Sequence, residues 1–205
     1  MYMDTLKIVF IVACSLVGVA VITVGAVFFY KYIYYPKKFA NVNYRDVYKI
    51  VQNYDYRLIN KFIFKVEEEK YAKIDHIVFG DKFFYLIFSR YYTGDIKGKM
   101  DDSSLVFVPR KGKKRYTENQ FAYMKFVIDK LCIQTGLDRS LLIGICLVNN
   151  DCKVNVKSES DHLYMIPRKE LKNAIKSIEA RDIGVLNDGQ LQNAVLVLNK
   201  MNRRK

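Results

Sequence analysis

The densest chemistry in this 205-residue chain is electrostatic. Arg110, Lys111, Lys113, Lys114 and Arg115 crowd around Gly112, Lys97 and Lys99 precede them, and Tyr91, Tyr92 and Tyr116 flank the group. Cations neutralise phosphates and tyrosine rings offer faces on which bases stack, so the segment is a candidate surface for DNA or RNA. A like-charged run is also what an ordinary solvated loop looks like, and charge alone carries no sequence specificity. The rest of the chain agrees in sign. Lys and Arg number 34 against 21 Asp and Glu, a net charge of +13, and residues 1–30 contribute none of it because Asp4 and Lys7 cancel. An excess of this size suits polyanionic neighbours, either nucleic acid or the anionic leaflet of a membrane.

Other reactive side chains are sparse. Cys14, Cys132, Cys146 and Cys152 contain no C-x-x-C pair, and His76 and His162 do not complete a zinc-ligand spacing, so free thiols in a reducing compartment are expected. Asp75 and His76 are neighbours in an apolar run and therefore face opposite sides of a sheet. Asp75 is placed to cap a strand end or to pair with Arg90 on the following strand, and His76 reads as a packed histidine. Thr117 and Gln120 have the spacing of a capping box, which puts Gln120 in the first turn of a helix.

Apolar periodicity supplies the elements that must position these groups. Val47, Ile50, Val51, Tyr54 and Leu58 predict an amphipathic helix over roughly 44–59. Phe62, Phe64 and Val66 then alternate with Lys61, Ile63 and Lys65, and segments 73–79 and 83–90 follow around turn signals, predicting three antiparallel strands. Leu105–Val108 predicts a further strand, and a helix ends near Gln134 before Gly136. Segment 141–148, LLIGICLV, is apolar throughout, as a strand covered on both faces should be. A short strand at 162–166 and helices over 168–180 and 189–202, the second capped by Asp188, complete an α/β domain with a mixed sheet flanked by helices. The sheet order implied places the basic loop near the edge that carries Asp75 and Arg90. Arg203, Arg204 and Lys205 form a basic tail.

Ahead of this domain, residues 8–30 hold 23 consecutive uncharged residues. As a helix they span about 34 Å, enough to cross a lipid bilayer, and they exceed the apolar region of a cleaved signal peptide. Lys7 stands alone on the amino-terminal flank against Lys31, Lys37 and Lys38 on the other, which predicts that residues 37–205 lie in the cytoplasm behind a 1–36 anchor in the cell membrane. Tyr30, Tyr32, Tyr34 and Tyr35 form an interfacial belt, and Pro36 is expected to end the helix. Cys14 and Gly18 make a small-xxx-small pair that would suit packing against another membrane protein.

Segment 74–96, IDHIVFGDKFFYLIFSRYYTGDI, resembles the core of the nuclease-related domain (NERD) family, whose pattern is roughly EIDHhhhG-x-x-G-hhhIE-x-K-x-x-x-G-x-h, with h apolar. Asp75, His76, Gly80 and Gly94 match it; Lys73 replaces its opening Glu and Phe83 its second turn glycine. The family's later N-P-x-x-Q falls on Tyr116–Gln120, where Gln120 alone matches. The resemblance spans about residues 44–200 and implies a restriction-endonuclease-like fold. It also implies a site in which Asp and Glu hold Mg²⁺ and Lys stabilises charge on the phosphate. Asp75 is the implied metal ligand, Arg90 stands at the Lys position and Gln120 at the family's Gln, but the Glu position is Phe88. Asp46 is the one counterpart for the acidic residue on the family's first helix. With a single clear carboxylate, the expectation is a membrane-tethered domain that keeps the nuclease fold, has weak or absent cleavage, and binds nucleic acid through the basic loop. Two alternatives stand beside it: a membrane-proximal scaffold for anionic lipid or an acidic protein, and an active nuclease using Asp95 or one of Glu67, Glu68 and Glu69.

Overall fold

The computed structural model describes residues 2–203, without the side chains of 2–9 and 11–13. Arg204 and Lys205 of the basic tail and the Lys7 side chain lie outside the described residues. The chain divides into two compact units, Met1–Asn41 and Val42–Lys205.

The first unit is helical. Helix α1 (Tyr2–Phe29) leads through a π-helical turn (Tyr30–Tyr34) into α2 (Tyr35–Tyr54). It is long and apolar enough to cross a membrane, and its described apolar side chains, Leu16, Val21, Ile22 and Val24 among them, are exposed. Pro36 does not end the helix, contrary to expectation. Proline has no N–H to give, and its ring presses on the carbonyl four residues back. The preceding turn is wider, with the Tyr35 N–H donating to Tyr30 O five residues back, which makes room for the ring.

In the second unit α2 buries Val47, Ile50 and Val51. It stops at Tyr54 rather than 59, because Asp55 takes a left-handed φ of 55° and the Tyr56 N–H turns back to Val51 O at 3.0 Å. Leu58 therefore belongs to β1 (Arg57–Glu67). The main sheet has five strands in the order β1-β2-β3-β7-β9, with β2 Lys70–Phe79, β3 Phe84–Arg90, β7 Leu142–Val148 and β9 Leu163–Pro167. The first three are antiparallel; β7 runs parallel to both β3 and β9. Every residue of β7 is buried, as its unbroken apolar run requires.

Alternation sorts the two faces. Phe84, Leu86, Phe88, Leu142, Cys146 and Val148 point into a core shared with α3 (Gln120–Thr135) and α5 (Asp188–Met201). Tyr85, Ile87, Ile143, Ile145 and Leu147 meet α2 and α4 (Leu171–Glu179). In β1 and β2 the alternation breaks once, at facing positions. Ile59 and Phe62, like Ile74 and Ile77, join one core, and the break falls at Asn60–Lys61 opposite Asp75–His76, where Lys61 has φ 53°. The outer edge of β1 is met by the chain's last described residues. The Arg203 N–H donates to Ile63 O at 2.8 Å, and the Ile63 N–H donates to Asn202 Oδ1 at 3.0 Å.

A second sheet was not expected. Strands β4 (Gly94–Lys99), β5 (Ser104–Pro109), β6 (Arg115–Glu118) and β8 (Val154–Lys157) form it in the order β6-β5-β4-β8. Its inner side chains, Ile96, Leu105 and Phe107, close the α3 side of the core. These strands are short, and β4 in particular offers one large apolar side chain among glycines and lysines, too few for periodicity to register. The cap of α5 is Asn187, in a full capping box with Gln190, rather than Asp188, which is the first helical residue.

Gly94 is where β4 must lie close to β5. A Cβ there would sit 2.2 Å from Val108 O and 2.6 Å from Pro109 Cα, both backbone atoms that cannot swing away. Gly94→Ala is expected to cost about 1–3 kcal/mol and to lower the melting temperature by roughly 2–4 °C per kcal/mol. An unchanged melting curve would show that the two strands separate without penalty.

Candidate functional site

Asp75 sits where β2 and β3 part. Their pairing runs from Phe79 opposite Phe84 to His76 opposite Ile87 and goes no further. The Ser89 N–H, left without a ladder acceptor on β2, donates to Asp75 Oδ2 at 2.8 Å. The other oxygen, Oδ1, lies 3.0 Å from Lys73 Nζ. Ser89 Oγ in turn accepts from Asn43 Nδ2 of α2 at 3.0 Å, and Asn43 is fully buried with its Oδ1 unpartnered among the described residues. Asp75 thus stitches α2, β2 and β3 together, and its charge is met from within the chain.

Of the two structural roles expected for Asp75, it takes the strand-end cap, through the Ser89 N–H, and not the pair with Arg90. Arg90 Nη1 donates to Ser89 O at 3.1 Å, and its guanidinium stands 5.6 Å from the Tyr123 ring centroid. Phe88 meets the same ring edge-on at 5.9 Å and is 1 % exposed, in the core. Two residues apart on β3, Phe88 and Arg90 share the α3 face. Ser89, between them, faces α2. Asp46 pairs with Arg168. Among the described residues no three of His, Cys, Asp and Glu come together as metal ligands do.

Gln120 opens α3 as expected, but not through a Thr117 capping box. Thr117 lies on β6, and the cap is Asn119, whose Oδ1 accepts from the Phe121 N–H at 2.9 Å. Asn119 Nδ2 also donates to Met100 O at 2.8 Å and Asp102 O at 2.6 Å, pinning the helix start to the β4–β5 turn. Asparagine is a strong cap former, and this was the signal passed over. Gln120 is buried. Its Nε2 donates to Glu118 Oε2 at 3.1 Å, and its Oε1 has no partner among the described residues.

His76 is the packed histidine expected. Its Nδ1 lies 2.7 Å from Asn60 Oδ1 directly across the β1–β2 ladder, and its ring is 6.0 Å from that of Tyr44. Burial lowers its pKa from 6.5, outweighing the nearby Asp75 charge. All four cysteines are free. Burial pushes the Cys146 thiol up to about 12 and Cys152 to about 11, so neither supplies a thiolate at neutral pH.

The basic group belongs to the second sheet. Its loop joins β5 to β6, and its base is tied to the segments just past β3 and β7, where the Arg110 N–H donates to Thr93 O at 3.4 Å; β2 and β3 themselves are interior strands of the other sheet. The loop is also divided in role. Arg110 is tied to Asp151 at 2.8 Å, and Arg115 lies over the Phe107 ring at 4.8 Å. Lys111, Lys113 and Lys114 are exposed at the tip around Gly112, whose φ is 103°. Lys97 and Lys99 are exposed on β4. Of the tyrosines, Tyr92 is packed against Phe107 at 6.0 Å, whereas Tyr116 is 79 % exposed. Asp95 is on β4 rather than in a turn, and its Oδ1 accepts from the Lys153 N–H at 3.2 Å. Glu67 is engaged by Lys70 at 2.9 Å at the far end of β1.

No family model and no characterised protein matches this sequence. A crystal structure titled as the protein of unknown function AF1548 shares 8 % identity over 76 % of this chain and 78 % of that one, with a TM-score of 0.34.

The His76 geometry carries a pH dependence. With its folded pKa below the unfolded 6.5, the unfolded chain binds more protons in the window between them. Stability is therefore expected to be complete above pH 6.5 and to fall as the pH drops through that window, with His162 adding a contribution of the same sign. In urea titrations at pH 5 and pH 7, His76→Gln should narrow the stability difference. Equal differences in the two proteins would remove His76 as the cause.

Proposed function

We propose that this chain is a membrane-anchored, NERD-like domain on the cytoplasmic side that binds DNA or RNA through its basic loop and lacks metal-dependent cleavage. One observation carries the binding half of this reading. Lys111, Lys113 and Lys114 stand exposed at the tip of the β5–β6 loop with no ion pair among the described residues. Three solvated cations on one turn match a phosphate backbone in charge. For the membrane side, Lys31, Lys37 and Lys38 are exposed just past the apolar helix, which supports a cytoplasmic domain.

The donor set does not fit Mg²⁺. The hard ion needs several oxygens. At the position corresponding to the family's Glu stands the buried ring of Phe88, and the Asp75 carboxylate is already shared between the Lys73 ammonium and the Ser89 N–H. Lys73 itself replaces the Glu that opens the family pattern, so a cation of the chain stands beside the carboxylate that would hold the metal. The helix start suggests a revised alignment as well. If the family's helix-opening Asn is the cap Asn119, its Gln falls on Tyr123, the residue that faces Phe88 and Arg90. A hydrogen-bonding amide is then replaced by a ring that packs.

The full chain, held in nanodiscs of neutral phosphatidylcholine, is expected to bind labelled duplex DNA at 50 mM salt with Mg²⁺ present and to release it steeply toward 200 mM. Replacing Lys111, Lys113 and Lys114 by Gln should reduce the slope of log K against log salt by about 2.7. The absence of binding at 50 mM salt would overturn the nucleic-acid reading. Mg²⁺-dependent cleavage that disappears in Asp75→Ala would overturn the loss of activity.

A further inference from the structure

We infer that the outer face of the second sheet is a platform for single-stranded nucleic acid, with Tyr116 as its stacking ring and Lys97, Lys99 and Lys157 as its phosphate contacts. The inference rests on the nucleic-acid reading above and extends it from the loop tip to a sheet face and a class of ligand. The inner face of this sheet is spent on the core through Ile96, Leu105 and Phe107. Alternation then sends Lys97 and Lys99 of β4, Tyr116 of β6, and Asn155 and Lys157 of β8 outward, and all five are exposed.

Registry aligns these residues in rows. Tyr116 stands opposite Val106, Val106 opposite Lys97, and Lys97 opposite Asn155, so an exposed ring and a lysine share one line across the sheet. At about 4.8 Å per strand gap, the line from Tyr116 to Asn155 runs about 14 Å. In the next outward row Lys99 stands directly opposite Lys157 on neighbouring strands. Like charges so placed repel, and neither ammonium has a carboxylate partner among the described residues. A phosphate between them would convert that repulsion into attraction. Asp95 and Glu118 also lie on this face, but both have partners in the chain, the Lys153 N–H and the Gln120 amide.

The ring selects the ligand class. A duplex keeps its base faces stacked inside and offers a lone tyrosine nothing but backbone. A single strand can lay a base on an exposed ring while its phosphates meet lysines on the neighbouring strands. Val106, half-buried between Tyr116 and Lys97, keeps the centre of the row low and apolar beneath such a base. An anionic membrane would be drawn to the same lysines and could seat the same ring at its interface, so vesicles form one arm of the test.

The test uses the full chain in phosphatidylcholine nanodiscs, a labelled 12-nucleotide oligothymidine, the matching duplex, and vesicles containing phosphatidylserine. The single strand is expected to bind more tightly than the duplex. Tyr116→Ala should weaken single-strand binding about 5-fold or more, leave the duplex nearly unchanged, and be rescued by Tyr116→Phe. Lys99→Gln with Lys157→Gln should weaken single-strand binding and raise the melting temperature by relieving the repulsion. If Tyr116→Ala binds the single strand as well as the unaltered chain does, the platform is overturned; duplex binding that still depends on the loop lysines would leave the broader reading standing. Vesicle binding with no affinity for either nucleic acid would overturn both.

Discussion

A strand buried on both faces cannot be left half-covered, and β7 sets that demand for the whole second unit. Its neighbours β3 and β9 run parallel to it, an arrangement found where both sides of a sheet are packed. One side is closed by α2 and α4. The other is too broad for α3 and α5 alone, and the second sheet completes it with the inner side chains of β4 and β5. That sheet is therefore one-sided by construction. Its inward side chains are used up in covering the core, and its outward face is presented to solvent with lysines and a tyrosine in register.

The same geometry explains why the Asp75 cluster is structural. Where two antiparallel strands diverge, backbone donors lose their partners, and an unpaired buried N–H costs on the order of 1–3 kcal/mol. Asp75 fills that gap at Ser89, and Asn43 reaches over from α2 to the Ser89 hydroxyl. Here Phe88 and Tyr123 fill one side with rings, and Lys73 neutralises the carboxylate on the other. The cluster holds three elements together and has little left to offer a ligand.

Much of this architecture could be read from residue patterns. The meander, the doubly buried strand, the three later helices and the apolar amino-terminal helix all follow from periodicities long enough to repeat several times. The second sheet did not, because β4 and β6 are short and charged, and the one large apolar residue of β4 only makes sense against partners distant in sequence. Helix limits failed for local reasons. A widened turn carried the helix through Pro36, a left-handed Asp55 cut α2 short, and two asparagines, Asn119 and Asn187, took the caps assigned to Thr117 and Asp188. Site residues fared unevenly. His76 was legible as a packed histidine, but the alternation that would set it opposite Asp75 breaks at these two residues; for Asp75 the strand-end cap was legible and the partner Lys73, two residues away on the same strand, was not. The basic run was visible at once; which of its members are tied down by Asp151 and Phe107 was not.

The outer edge of β1 has a bearing on association. A long edge strand exposes a row of backbone groups that a second copy of the same chain could extend. Ile63 already exchanges two hydrogen bonds with Asn202 and Arg203, as it would with an incoming strand, and Lys61 next to it turns the backbone out of the pleat. The terminal segment therefore acts as a built-in blocker, occupying the middle of the edge so that no foreign strand can zip along its full length. That plug favours separate domains over a growing ribbon.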